Sequence, residues 1–134
     1  MNEIIICDID GTIADIEHRR PHVAGKKKDF ESFYAEQEND LVKLPTLAVL
    51  NGLCRNGEYD LLFVSGRPEK YRYETELWLA SWCDIYMKNS VLDERIKARY
   101  KITDGWLKNW NYNYECLGLL MRPDDDNRSD AVVK

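Results

Sequence analysis

The chain has 134 residues, 44% of them hydrophobic, enough for one core and too few for two ordinary domains. With 24 acidic against 19 basic residues the net charge is -5 and the pI near 5.1, which excludes nucleic-acid binding by bulk attraction and leaves only local contacts. A mean hydropathy of -0.56 and the lack of any apolar run of membrane-spanning length exclude a transmembrane helix, and with no basic leader before the first apolar stretch a cytoplasmic location is expected.

Residues 3–9 form a continuous β-branched run through Ile4, Ile5 and Ile6, which predicts a central strand buried on both faces. Residues 10–28, with Gly11, Pro21 and Gly25 and little periodicity, predict a long functional loop or flap, and a short helix is expected over 29–39. Pro45 suits the first turn of the next helix, Leu47, Leu50, Leu53 and Cys54 share one face, and Gly57 suits its end. Residues 59–64 predict a second buried strand, followed by Ser65, Gly66, Arg67 and Pro68. That proline is expected in the first turn of a helix reaching about Trp82 and packed through Trp78 and Trp82.

Residues 83–115 read as an insertion, helical in part, whose Trp106 and Trp110 suit a cap over a site. Residues 116–121 restore the strand signal, 122–128 are polar loop, and Ser129 caps a helix that begins at Asp130. Alternating strands and helices imply an α/β fold, a Rossmann-like parallel sheet with helices on both faces, in one domain over residues 1–134. Cys7, Cys54, Cys83 and Cys116 are widely spaced, without a Cys-x-x-Cys pair, and read as reduced structural thiols.

Ligand sites in such sheets lie at the carboxyl ends of the strands. Asp8 and Asp10 close the first strand, and the turn at Gly11 lets the second carboxylate fold back over the first. Asp8 is then the candidate nucleophile on phosphorus and Asp10 the candidate general acid and base. Magnesium on the Asp8 carboxylate and the Asp10 carbonyl would offset the charge between nucleophile and phosphate. Ser65 and the amides opening the helix after it are candidates to bind phosphate, Lys134 adds a point charge, and Asp130, four residues earlier, holds that ammonium.

Asp8-Ile9-Asp10-Gly11-Thr12, Val64-Ser65-Gly66-Arg67 and Arg128-Ser129-Asp130 through Lys134 resemble, in order and spacing, the first three motifs of haloacid dehalogenase-like phosphatases. Within that superfamily, Arg19 and Pro21 after the first motif make the 3′-phosphatase domain of phage polynucleotide kinase-phosphatase the nearest likeness. The resemblance implies a magnesium-dependent phosphatase with an aspartyl-phosphate intermediate, catalytic residues Asp8, Asp10 and Lys134, and Thr12, Arg19, Ser65, Gly66, Arg67 and Asp130 binding phosphate or nucleotide. A polynucleotide 3′-phosphate end is the expected substrate, a deoxynucleotide 5′-phosphate the alternative. The family's fourth motif, an acidic pair completing the magnesium site, has no counterpart before Lys134, so a fragment of a longer parent is expected. A non-catalytic phosphate- or partner-binding module is the contrasting reading. Arg19, Arg20, Lys26, Lys27 and Lys28 form a basic stretch in an acidic chain, a funnel for a phosphodiester strand or a solvated loop.

Overall fold

The computed structural model describes residues 3–55, 57–83, 85, 98 and 116–126. In chain order the elements are β1 (Glu3–Asp8), β2 (Ala14–Asp15), α1 (Pro21–Ala24), α2 (Phe30–Ala35), a 3-10 turn (Gln37–Asn39), β3 (Leu41–Val42) and α3 (Leu44–Cys54). Then come β4 (Tyr59–Pro68), a second 3-10 turn (Glu69–Tyr71), α4 (Arg72–Trp82) and β5 (Cys116–Arg122). β1, β4 and β5 form one parallel sheet in that order, while β2 and β3 pair antiparallel in a two-residue ladder. The α/β class, with a parallel sheet flanked by helices, is as the sequence implied.

Among the described strands, however, the central one is β4 and not β1. Side chains of paired residues share a sheet face, so the register Ile5↔Leu61, Cys7↔Phe63 and Phe63↔Leu119 defines one face. That face is the core: Cys7, Leu61, Phe63 and Leu119 are buried against Leu50 and Cys54 of α3 and Trp78 and Leu79 of α4. Both crossover helices pack there because the strands advance in one direction, β1 to β4 to β5, and right-handed crossovers then put successive helices on the same side. The opposite face is open among the described residues, with Ile6 68% exposed and Ile4 and Leu120 about half exposed. β1 is therefore not buried on both faces, and the helices described cover one face only.

Local chemistry explains the element ends. Asp29 caps α2 by accepting a hydrogen bond from Ser32 N at 3.0 Å. Pro45 lies in the first turn of α3, and Gly57, at φ 73°, closes the C-terminal turn by donating to the Cys54 carbonyl. α3 is buried through Leu50 and Cys54, whereas Leu53 faces solvent. Trp78 is likewise in the core, its Nε1 donating to the Asp40 carbonyl, but Trp82 is exposed. Cys7, Cys54 and Cys83 are buried free thiols, and burial, then the nearby Asp8 charge, raises the Cys7 pKa to about 11. No helix among the described residues is long and apolar enough to cross a membrane. Apart from Cys83, Ile85 and Ala98, the insertion expected over 83–115 lies outside the described residues, as does the helix beginning at Asp130.

Candidate active site

The carboxyl ends of β1 and β4 bring two of the sequence-predicted patches together. Asp8 is paired in register with Val64, so Asp8 and Ser65 stand at the same end of adjacent parallel strands. Immediately after β1 the chain turns sharply: Thr12, Ile13 and Ala14 all donate their amides to the Ile9 carbonyl at 3.0–3.1 Å, and Gly11 takes φ 80°. This turn carries Asp10 back beside the strand ends and lets Thr12 Oγ1 donate to Asp8 Oδ2 at 3.5 Å. Lys43 Nζ, donating to the Gly11 carbonyl at 3.1 Å, ties the turn to the start of α3.

Asp10 does not stand alone. Its carboxylate accepts from Arg19 Nη2 at 2.7 Å and from Arg67 Nη2 at 2.6 Å and Nε at 3.1 Å. Beneath them lies Asp40, which accepts from Arg19 Nε and Nη2, both at 2.7 Å, and from Arg67 Nη2 at 3.3 Å. Arg19, Arg67 and Asp40 are fully buried, so two guanidinium charges are balanced by two carboxylates out of bulk water. Remaining donors are used as well: Arg67 Nη1 reaches Gln37 Oε1 at 2.6 Å and Thr75 Oγ1 at 3.2 Å, and Arg19 Nη1 reaches the Phe33 carbonyl at 3.2 Å. His18 Nε2 meets Asp40 Oδ1 at 2.7 Å from the solvent side.

Three expectations change here. The loop or flap expected over residues 10–28 carries the short β2 and α1 and is pinned by Arg19, whose side chain is fully buried. Arg19 and Arg67, expected at the substrate, have their guanidinium planes engaged by Asp10 and Asp40. Nor does a helix begin directly after Ser65, because β4 continues to Pro68 and α4 starts only at Arg72, so no helix N-terminus follows that serine immediately. Ser65 is itself buried, and its hydroxyl oxygen accepts from Arg67 N at 3.1 Å, a bond that does not use the hydroxyl proton. The Gly66 carbonyl accepts from Arg122 Nε at 3.0 Å. Asp130 and Lys134 lie outside the described residues.

Burial opposes ionisation of Asp10, but the Arg67 and Arg19 charges and hydrogen bonds outweigh it and hold its pKa below the usual 3.8. A carboxyl whose folded pKa is depressed adds stability at pH above its unfolded value and loses it as pH falls through the folded one. The urea midpoint should therefore drop as the pH falls below about 4, and the drop should be smaller in Asp10→Asn; an equal drop in both proteins would refute the assignment.

Asp40, Gln37, Thr75 and Lys43 carried no signal in the sequence. Residues 37–40 read Gln-Glu-Asn-Asp, which is indistinguishable from a solvated polar run, and the partners of Asp40 are 21 and 27 residues away. Among the described residues no group of three His, Cys, Asp or Glu side chains is gathered closely enough to hold a metal.

Comparison with known proteins adds independent information. A family model described as the polynucleotide kinase PNKP phosphatase domain matches residues 2–95. No curated protein matches. Among solved structures, a chain of a Pnkp1/Rnl/Hen1 complex is 26% identical, with a TM-score of 0.54 over 99% of this chain and 32% of the other. A chain of a Pnkp1/Rnl/Hen1 RNA repair complex matches in fold, at 24% identity and TM-score 0.53 over 98% and 29%. The sequence thus spans about a third of the length of the chains it resembles.

Proposed function

We propose, from the premise that the chain belongs to the polynucleotide kinase PNKP phosphatase domain family, that it hydrolyses phosphate monoesters at the 3′ ends of polynucleotides. The observation that carries this reading is the register that sets Asp8 beside Ser65, with Asp10 folded back over the same strand ends.

Asp8 Oδ attacks phosphorus, forming an aspartyl-phosphate while the bond to the sugar oxygen breaks, and the departing oxygen takes its proton from Asp10. Asp10 then accepts a proton from water, the water oxygen attacks phosphorus, and the Asp8–phosphorus bond breaks to release phosphate. Ionised Asp10 between two arginines is set for the second, base half of this cycle. Arrival of a phosphate dianion brings negative charge to the strand ends, and like-charge repulsion then favours the protonated Asp10 that the first half requires. Arg19 and Arg67 position Asp10, and Ser65 offers its hydroxyl proton to a phosphate oxygen.

The donors at the turn, the Asp8 carboxylate and the Asp10 carbonyl, are hard oxygens of the kind magnesium takes together with water and substrate phosphate, so the residues fit this ion. When bound there, magnesium would neutralise phosphate charge. Lys134 and Asp130 keep the phosphate-binding roles implied by the family's third motif, and a cytoplasmic setting suits the buried free thiols.

The test is phosphate release from a 3′-phosphorylated oligonucleotide in magnesium, measured beside 3′- and 5′-mononucleotides. Preference for the oligonucleotide end is expected. A preference for 5′-mononucleotides would move the substrate to the deoxynucleotide class, and no release from any of them would leave a phosphate-binding module.

A further inference from the structure

Beside the Asp10 network lies an aromatic surface that the mechanism does not use. Phe30 and Tyr34, one turn apart on α2, are stacked with centroids 6.2 Å apart and planes 23° apart. Tyr34 in turn meets Tyr71, from the turn after β4, at 5.0 Å and 33°. Phe33 fixes this row from below: it is buried, lies edge-on to both Phe30 and Tyr34, and has the Arg19 guanidinium 4.2 Å over its ring. The row is thus anchored on the same arginine that grips Asp10.

Its outer ring is not covered. Phe30 is 50% exposed, an unfavourable state for a large apolar side chain. Cations flank it: Lys26, Lys27 and Lys28 precede the Asp29 cap of α2 and are all exposed, and Lys70 Nζ lies 5.2 Å from the Tyr71 ring centroid. In a chain of net charge -5 these exposed lysines form a local cationic edge, bounded by Asp29 and Glu31, that suits the phosphates of a polyanion. Near-parallel rings beside cations suit one polyanion in particular, a single strand whose bases stack on the rings while its phosphates meet the lysines. A duplex stacks every base pair on its neighbours and leaves open only the outer face of the last pair, and an acidic peptide has no base faces.

We propose that the Phe30, Tyr34 and Tyr71 row, with Lys26 to Lys28 and Lys70, is a stacking platform for the terminal bases of a single-stranded polynucleotide. The proposal rests on the phosphatase reading for the destination of the strand's terminal phosphate. It does not rest on turnover, so binding tests it separately.

The experiment is fluorescence anisotropy of a labelled, 3′-phosphorylated single-stranded oligonucleotide with the full chain, at fixed low salt. Phe30→Ala and Tyr71→Ala should each weaken binding about tenfold, and Phe30→Leu, which keeps apolar volume without an aromatic face, should weaken it comparably. An abasic oligonucleotide of equal charge should bind the wild-type chain as weakly as the variants bind the base-bearing strand. Equal affinity of Phe30→Leu and wild type, equal affinity for abasic and base-bearing strands, tighter binding of a blunt duplex, or no binding by the wild-type chain would each overturn the platform. If ring-dependent binding is found without any hydrolysis, the platform stands and the phosphatase reading fails.

Discussion

Replacing Asp8 by asparagine should reduce phosphate release by roughly 10⁴-fold or more, the scale on which loss of a covalent nucleophile is felt. Asparagine has the same shape and can still accept the hydrogen bond from Thr12, so the turn after β1 should survive. Its amide oxygen is too poor a nucleophile to form the acyl-phosphate. Circular dichroism should therefore match wild type while turnover vanishes. Activity equal to wild type in that variant would remove the nucleophile from Asp8 and, with it, the mechanism. Trapping a phosphorylated chain by mass spectrometry in wild type but not in the variant gives the complementary positive result.

Replacing Asp40 by alanine should lower stability by about 3–5 kcal/mol, the range expected when one partner of a buried ion cluster is removed. Three hydrogen bonds from the side chains of Arg19 and Arg67 converge with that of His18 on this one carboxylate, which is fully buried. Without it, two buried guanidinium groups share Asp10 alone, and the cluster carries an uncompensated positive charge. Asp40→Asn keeps one acceptor oxygen and should cost less than the alanine change. Urea unfolding of the three proteins measures this directly, and a loss below about 1 kcal/mol in the alanine variant would mean that the cluster relaxes or hydrates freely. Any protein that remains folded should also have a lowered kcat, since Arg19 and Arg67 would pull Asp10 away from its place beside Asp8.

The buried quartet changes how the two arginines are understood. Near a phosphate site an arginine invites a role in substrate binding, and a single sequence offers no means of distinguishing that from a structural role. Here both are fully buried, and the balance of charges, two cations against two carboxylates, makes them the frame for Asp10. The cost of burying them is offset only because nearly every guanidinium donor has an acceptor, including Gln37, Thr75 and a main-chain carbonyl.

By itself the sequence determined what local chemistry can determine. The β-branched run before Asp8, the apolar run before Ser65 and the proline and glycine bounding α3 fixed the two strands and the crossover helix, because propensity and capping act within a few residues. The Asp-x-Asp-Gly-Thr spacing likewise specified a turn returning one carboxylate toward another, which Gly11 at positive φ makes possible. What only the tertiary structure decided was long-range: that among the described strands β4 and not β1 is central, that α3 and α4 share one face, and that Arg19 and Arg67 turn inward to Asp40. Strand order follows from crossover direction, and the fate of a charged side chain follows from whether a counter-charge distant in sequence is buried beside it; neither is written in any short window of residues.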